Sequence, residues 1–295
     1  METAFERFPL GTSAVSFLAP AKLNLSLQVF GKRPDGYHHV RSVMVPVSLY
    51  DEVTVEEAPA GVSVECDAPG IPTDAGNSCR KAAALFLAWA GAPGGVRIRI
   101  RKAIPAESGL GGGSSDAAAA LKGLIALTGK HPPTETLLAM AARIGADVPF
   151  FLPGGAALVE GFGERLTPLP WNVPFHAVIV RPAFGLSTRE GYARLGRAPG
   201  DPPPRGTVPS FRTFSDVAAV VRNDFEAAWG PSHPEIAAVR RELVSAGAVA
   251  AGLSGSGSAV FGLFTSEGEA REARGKLSAD DGGGKGRRVF VARSI

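Results

Sequence analysis

The sequence is poor in the features that mark several specialised classes of protein. Its two cysteines, Cys66 and Cys79, lie on either side of a Pro/Gly turn, a spacing that no zinc or haem motif uses. No apolar run approaches the roughly 18 residues of a membrane span. The net charge is only +3 and the Lys and Arg residues are scattered, whereas a nucleic-acid-binding protein concentrates them on one face. We therefore predict reduced thiols, a cytoplasmic location, and neither a membrane nor a nucleic-acid partner.

Several catalytic motifs are missing as well. No G-x-S-x-G segment is present, so a serine-hydrolase nucleophile is not expected. His38 and His39 have no Cys, Asp or Glu at metal-ligand spacing, which disfavours a metal cage. No lysine occurs between Lys102 and Lys122, and this excludes a Walker-type phosphate loop.

The composition nevertheless indicates a well-packed globular protein. The chain has 295 residues, of which 45% are hydrophobic and 20% charged, so it can bury about three quarters of its surface. This length favours two domains, and we place the boundary near Leu169–Val173, where a new alternation of strands and helices begins. The proline-rich stretch Pro199–Pro209 is predicted to be a linker.

The hydrophobic pattern predicts a mixture of strands and helices. Leu23, Leu25, Leu27 and Val29 alternate with polar residues, which is typical of a half-buried strand over Ser16–Phe30. Further strands are predicted at Arg41–Leu49, Glu52–Glu57, Val62–Asp67, Val96–Ile100, Ala177–Arg181, Ser258–Phe264 and Arg288–Ala292, and a hairpin at Gly154–Leu169. Helices are predicted from an Asn77 cap to Trp89, and at Ser114–Leu127, Thr134–Ile144, Phe214–Val221, Pro234–Ala246 and Glu267–Ala279.

A glycine-rich loop before the second helix is the most informative segment. Gly109, Gly111, Gly112 and Gly113 carry no side chains that would separate backbone amides from a ligand. The helix that follows at Ser114 points its free N–H groups and its positive dipole end toward the loop. This combination favours a binding site for nucleotide phosphates, and the alternative is a glycine turn before an ordinary helix.

A second glycine-serine segment, Gly252–Ser258, leads directly into an apolar strand. Such a segment alone is weak evidence, because loops of this composition are often flexible connections. Our hypothesis is that both loops close on one triphosphate.

Two charged residues are candidates for chemistry. Asp147 is a carboxylate among apolar residues, a costly placement unless the group is paired or used. The alternative is a helix cap at the following turn. Lys22 lies beside Asn24 on the predicted strand, where a lysine is usually a surface residue.

Three segments resemble the motifs of the GHMP kinases, the superfamily of galacto-, homoserine, mevalonate and phosphomevalonate kinases. They are Ala19–Leu25, Pro105–Ala119 and Gly252–Phe264. Two narrower motifs, Arg33–His38 and Gly145–Phe151, resemble those of one family within it, the 4-diphosphocytidyl-2-C-methyl-D-erythritol kinases of the non-mevalonate (methylerythritol phosphate) isoprenoid pathway.

The resemblance implies an α+β, two-domain GHMP kinase fold with the active site between the domains. Residues 1–170 would form an ATP-binding domain similar to a ribosomal S5 domain 2-like unit, and residues 171–295 a ferredoxin-like domain. It also implies ATP-dependent phosphorylation of the 2-hydroxyl of 4-diphosphocytidyl-2-C-methyl-D-erythritol, with Mg²⁺, by a monomer or weak homodimer.

The resemblance also implies roles for individual residues. Asp147 would be the general base, and Lys22 the cation that favours its ionised form. ATP would be bound by Asn77, Pro105, Ala106, Glu107, Ser108, Gly109, Leu110, Gly111, Gly112, Gly113, Ser114 and Ser115, with Ser115 also contacting Mg²⁺. The substrate would be bound by Asn24, Tyr37, His38, Lys102 and Tyr192, with the cytosine between Tyr37 and Tyr192 and hydrogen-bonded to His38.

Two alternatives remain at this point. One is another small-molecule GHMP kinase, of the homoserine or mevalonate type, although the Gly36-Tyr37-His38 turn favours a nucleotide-linked alcohol. The other is a catalytically silent nucleotide-binding regulator, which the presence of both Lys22 and Asp147 disfavours.

Overall fold

The computed structural model describes residues 7–9, 13–91, 94–200, 202–203, 206–279 and 286–295. Residues 1–6 and 10–12 of the N-terminal extension lie outside the described ranges, as do residues 201, 204 and 205 of the proline-rich stretch. The strands are β1 (Arg7–Pro9), β2 (Ala14–Lys32), β3 (His38–Ala58), β4 (Gly61–Cys66), β5 (Gly95–Arg101), β6 (Ala157–Gly161), β7 (Arg165–Pro168), β8 (His176–Arg181), β9 (Arg222–Asn223), β10 (Ala250–Leu253), β11 (Val260–Phe264) and β12 (Arg288–Arg293). The helices are α1 (Ser78–Ala90), α2 (Gly112–Thr128), α3 (Thr134–Ile144), α4 (Val148–Phe151), α5 (Thr188–Leu195), α6 (Phe214–Ala219), α7 (Phe225–Trp229), α8 (Pro234–Ser245) and α9 (Glu267–Ala279).

The chain forms two compact units that are not simple halves of the sequence. The first comprises residues up to Ala21, Tyr50–Ala106 and Gly111–Gly154. The second comprises Lys22–Leu49, Glu107–Leu110 and Gly155–Ile295. The boundary predicted after residue 170 falls inside a continuous segment of the second unit, and that division of the chain stays a prediction.

In the first unit, helices pack on a sheet through small residues. The C-terminal part of β3 pairs antiparallel with β5, and β5 pairs parallel with β4. A Cβ at Gly123 of α2 would lie 2.5 Å from Cγ2 of Val55 on β3, so only glycine allows this close approach. The buried alanines 117–120 of α2 continue the small-residue surface, which explains why the alanine-rich segment is a core helix.

Helix α1 begins and ends where the sequence predicts. The Oδ1 atom of Asn77 accepts hydrogen bonds from the backbone N–H groups of Cys79 at 2.8 Å and Arg80 at 3.4 Å. At the other end, Gly91 has a φ of 55°, the left-handed conformation that favours glycine at a helix C-terminus. The predicted cap and stop are confirmed.

The second unit contains a four-stranded antiparallel sheet in the order β10-β11-β8-β12. Its core is closed by α7, α8 and α9 and includes Trp229, Leu243 and Phe264, all fully buried. The N-terminal part of β3 pairs with β6, and β6 pairs with β7. The hairpin predicted over Gly154–Leu169 is therefore confirmed.

The proline-rich stretch is not the linker that we predicted. Its described residues lie wholly within the second unit. Gly200 donates its backbone N–H to Lys32 O at 3.2 Å, and Arg41 donates to Thr207 O at 2.7 Å. These hydrogen bonds hold the stretch against β2 and β3. Proline limits the stretch to extended backbone but leaves its carbonyl oxygens free to accept hydrogen bonds.

Other differences from the predicted elements are local. The two strands predicted at Arg41–Leu49 and Glu52–Glu57 form one strand, β3, and Asp51 between them is buried and hydrogen-bonded. Helix α5 and strand β10 were not predicted, since the one is strongly polar and the other is only four residues long. Across the residues that the structure describes, no helix has both the length and the apolar character of a membrane span.

The two thiols are expected to differ in reactivity. Burial raises the pKa of the Cys66 thiol, and full burial raises the pKa of Cys79 well above its ordinary value. Because the thiolate is the reactive form, native protein at about pH 8 should be alkylated slowly at Cys66 and not at Cys79. Mass spectrometry before and after denaturation measures this, and rapid native labelling of Cys79 would contradict it.

Candidate active site

The glycine loop ends in a helix start that is open to an anion. Gly109 and Gly111 have φ values of 77° and 74°, and Gly111 precedes α2 with no side chain capping the helix. A Cβ at Gly113 would meet no atom within 4 Å. The first backbone amides of α2 therefore have room for an anion and the favourable end of the helix dipole.

Ser115 lies in the first turn of the same helix. Its side chain is fully buried, and its Oγ atom has no hydrogen-bond partner among the described residues. A buried hydroxyl without a partner is costly, and its oxygen is of the type that Mg²⁺ prefers. Within the described ranges, no cluster of three or more His, Cys, Asp or Glu residues could hold a metal. A magnesium ion here would thus depend on phosphate and water oxygens for most of its ligands.

The turn that carries Asp147 lies beside this helix start, in the same unit. A Cβ at Gly145 would be 3.9 Å from Ser114 Oγ, and Asp147 follows two residues later. Asp147 occupies the N-cap position of α4, but its side chain makes no capping hydrogen bond. The helix-cap interpretation of this carboxylate is therefore not supported.

Behind the loop, Lys102 forms a buried ionic cluster with Asp51 and Asp116. Its ammonium donates to an Asp51 carboxylate oxygen and, at 2.8 Å, to Asp116 Oδ2. Asp51 also accepts the backbone N–H groups of Ala103 at 2.6 Å and Ile104 at 2.8 Å. A Cβ at Gly112 would lie 3.1 Å from Lys102 Nζ. Lys102 thus lies close to Gly112, the first residue of α2.

Burial and the neighbouring charges shift the pKa values of Lys102 and Asp116. Burial lowers the pKa of Lys102, but Asp116 and Asp51 together outweigh it and hold that pKa above its ordinary value. Burial, opposed by Lys102, raises the pKa of Asp116 to about 8. With both carboxylates on its ammonium, Lys102 has a structural role, and its predicted contact with the substrate stays a prediction that this geometry disfavours.

Asn77 likewise has structural partners. Besides capping α1, its amide Nδ2 donates to Pro72 O at 2.7 Å, and the residue is buried. The predicted contact with adenine stays a prediction, and the hydrogen bonds of this side chain serve the helix start.

In the second unit, Lys22 is a buried residue and not a surface lysine. It is 2% exposed, and its ammonium donates to Asn24 Oδ1. Asn24 in turn donates through Nδ2 to Ser42 Oγ at 2.7 Å. The sequence-based expectation of a surface lysine is therefore wrong, and a catalytic role for Lys22 stays a prediction.

The second glycine-serine segment packs against the first half of the glycine loop. Ala259 donates its backbone N–H to Ser108 O at 2.9 Å, and Ser254 Oγ donates to Gly109 O at 3.0 Å. A Cβ at Gly109 would lie 2.0 Å from Ser254 O, so this contact requires glycine. Lys22 N donates to Leu110 O at 2.9 Å. The structure thus brings together the Gly252–Ser258 segment, the Ser108–Leu110 part of the glycine loop and Lys22, and closure of both loops on one triphosphate stays a prediction.

Residues that the sequence analysis missed hold this second segment in place. Asn223 donates through Nδ2 to Leu253 O and Gly255 O, both at 2.8 Å. Trp229 donates through Nε1 to Ser256 O, also at 2.8 Å. Both residues come from a distant part of the sequence with no motif of its own, so no local signal could have indicated them.

The predicted cytosine-binding rings form two separate pairs. The His38 and Tyr192 rings are stacked, with centroids 4.8 Å apart and planes at 15°. Tyr37 is 57% exposed and contacts the Phe162 ring at 5.2 Å. One face of Tyr192 is thus against His38, and a cytosine between Tyr37 and Tyr192 stays a prediction.

Burial, followed by the charges of Lys32 and Arg197, lowers the pKa of His38, so its imidazole is neutral at neutral pH.

Family models and related sequences both identify this chain as similar to the GHMP kinases. The family model for the GHMP kinases N terminal domain matches residues 77–155, and that for the GHMP kinases C terminal matches residues 209–281. The 4-diphosphocytidyl-2-C-methyl-D-erythritol kinases of Geobacter metallireducens and Symbiobacterium thermophilum are 43% and 42% identical to this chain, covering 88% and 87% of it and 92% of each relative.

Solved structures give the same result. A crystal structure of 4-(cytidine 5'-diphospho)-2C-methyl-D-erythritol kinase superposes with a TM-score of 0.76 and 36% identity, covering 95% of this chain and 98% of that one. The homoserine kinase of Cytophaga hutchinsonii shares the fold, with a TM-score of 0.73 but 21% identity over 97% of this chain and 96% of that one. The chain therefore belongs to the 4-diphosphocytidyl-2-C-methyl-D-erythritol kinase family, ATP-dependent enzymes with the two-domain GHMP kinase fold.

Proposed function

We propose that this protein transfers the γ-phosphoryl group of ATP to the 2-hydroxyl of 4-diphosphocytidyl-2-C-methyl-D-erythritol. One observation carries the substrate assignment: 4-diphosphocytidyl-2-C-methyl-D-erythritol kinases are up to 43% identical over nearly their whole length, whereas the homoserine kinase with the same fold is 21% identical. The Tyr37-His38 turn, with its exposed aromatic ring, supports a substrate that ends in a base.

We assign each site residue one role in phosphoryl transfer. The amides at the start of α2, with those of the Ser108–Gly111 segment, bind and orient the phosphates, which is the main catalytic need of a loose transition state. Ser115 would contact a bound Mg²⁺, and the ion would supply positive charge to neutralise the phosphates. Asp147 accepts the proton of the 2-hydroxyl as the general base, and Lys22 helps to orient that hydroxyl. Asn24 orients the substrate through its amide.

A coupled assay of ADP release tests this proposal. Purified protein, ATP and Mg²⁺ are combined with the cytidyl alcohol, homoserine or mevalonate in parallel. ADP release with the cytidyl alcohol and none with the others is the expected result. Release with another alcohol alone would replace the substrate assignment, and ATP binding without release with any alcohol would indicate a silent regulator.

His38 provides a separate test of the cytidine end. His38→Ala is expected to weaken binding of the cytidyl substrate about tenfold, because a base would lose a hydrogen bond in a partly buried site. The KM for ATP should change by less than about twofold, since the ring is assigned to the other substrate. Exposed His131 offers a matched control, His131→Ala. Equal losses for both substrates would argue against a cytidine contact.

A further inference from the structure

Two tight turns of the second unit meet through their side chains. One joins β2 to β3 and carries Arg33 and Tyr37. The other joins β6 to β7 and carries Phe162 and Glu164. We call these four residues the aromatic clasp. The Phe162 ring is 5.2 Å from the Tyr37 ring at an interplanar angle of 40°, and Arg33 Cζ lies 5.2 Å from the Phe162 centroid.

The first turn fixes the backbone of Tyr37. Arg33 donates its N–H to Tyr37 O at 2.7 Å, and Tyr37 donates its own N–H to Asp35 Oδ1 at 3.1 Å. Asp35 is held in turn by the guanidinium of Arg33, at 2.8 to 3.2 Å. None of these bonds orients the phenol ring, which is 57% exposed. Among the described residues, Phe162 is the aromatic side chain that this ring contacts.

The second turn holds Phe162 firmly. Phe162 donates its N–H to Glu164 Oε2 at 2.7 Å, and Gly163 donates to Glu160 O at 3.2 Å. Gly161 has a φ of 76°, the left-handed conformation that favours glycine, and a Cβ there would displace the Glu164 carboxylate, which lies 2.3 Å away. Glu164 also lies 4.0 Å from the Arg33 guanidinium. The backbone of Phe162 is thus held by its turn, and its ring lies against Tyr37 and the Arg33 guanidinium.

We propose that Phe162 is a positioning residue for the cytidine end of the substrate: it holds the Tyr37 ring ready to stack on the base. This inference rests on the proposed function. An aromatic neighbour restricts the rotamers of an exposed tyrosine, so less side-chain freedom is lost when the base binds. Because Phe162 would act only through the Tyr37 ring, we expect it to change affinity for the cytidine end and not the rate of phosphoryl transfer.

Kinetics and binding of Phe162 variants test the proposal. Phe162→Ala is expected to raise the Kd for cytidine diphosphate, measured by calorimetry, and the KM for the cytidyl alcohol by about three- to tenfold. The KM for ATP and kcat should stay within about twofold. Phe162→Tyr keeps a ring and should restore both affinities. Phe290 is a half-buried ring next to another arginine, 4.9 Å away, and Phe290→Ala is the matched control with no expected effect.

A double-mutant comparison separates positioning from general destabilisation. In a Tyr37→Ala background, Phe162→Ala should no longer change the Kd for cytidine diphosphate, because the ring that it positions is gone. The same loss in both backgrounds, or equal losses for ATP and the cytidyl alcohol, would overturn the proposal. So would a wild-type protein that does not bind cytidine diphosphate. Failure of the proposed function is distinguishable, since it shows in the wild type as binding of cytidine diphosphate without turnover of the cytidyl alcohol.

Discussion

Asp147→Asn is expected to lower kcat by about 10²- to 10⁴-fold while leaving the Kd for ATP within about twofold. The amide has nearly the same shape as the carboxylate but cannot accept the proton of the attacking hydroxyl. The Asp147 side chain does not cap α4, so the exchange should not unfold the turn. Steady-state kinetics with the cytidyl alcohol and calorimetry with a non-hydrolysable ATP analogue give the two quantities.

The control for this variant is an exposed carboxylate in the same unit. Glu135 lies in the first turn of α3, and Glu135→Gln removes a negative charge without touching the proposed site. Its kcat should equal that of the wild type. A near-normal kcat for Asp147→Asn would remove Asp147 from the mechanism, and a parallel loss of ATP binding would assign it a structural role.

Above about pH 8, where Asp116 is ionised, Lys102→Met is expected to lower the free energy of unfolding by about 3–5 kcal/mol, because it leaves two buried carboxylates without their cation. The Lys102 side chain is 7% exposed and that of Asp51 is fully buried, so water cannot replace the lost ion pairs. Urea unfolding followed by circular dichroism measures the change. Lys81→Met on the exposed side of α1 is the control, with an expected change of about 0.5 kcal/mol or less.

The loss of unfolding free energy caused by Lys102→Met should grow as the pH rises. Burial already raises the pKa of Asp116 to about 8 with Lys102 present, and removal of the cation raises the pKa further. At acid pH the carboxyl of the variant is neutral and needs no cation, so the loss is small. As the pH rises above about 8, Asp116 of the wild type ionises and pairs with Lys102, whereas in the variant the carboxyl stays protonated or becomes an unpaired charge, so the loss grows. A loss that is constant between about pH 5 and 9 would show that ionic pairing is not what Lys102 contributes.

The elements that the sequence predicted well are those whose pattern is local. The alternation of Leu23, Leu25 and Leu27 is the alternation of a strand whose apolar side is buried. Asn77 and Gly91 mark the ends of α1 by their own side-chain and backbone chemistry. The glycine loop was recognisable because its positive φ values and its approach to Ser254 require residues without a Cβ.

The elements that escaped prediction depend on partners far away in the chain. The sequence around Asp51 reads as a strand break until its carboxylate is seen to accept from Ala103 and Ile104. The ion pairs of Lys102 with Asp51 and Asp116 likewise join residues far apart in the chain, and its predicted contact with the substrate stays a prediction. Phe162 is one aromatic residue in a short turn, and only the fold brings it against Tyr37. No spacing rule connects such pairs, since their contact is a product of the tertiary structure.

The phosphorylated product tests the central claim most directly. Wild-type protein, ATP, Mg²⁺ and the cytidyl alcohol are incubated until ADP release stops, and the mixture is examined by phosphorus NMR with coupling to the carbon framework. One phosphate monoester on the 2-hydroxyl for each ADP released is the predicted result. ADP formed without that ester, or an ester on any other hydroxyl, would contradict the account.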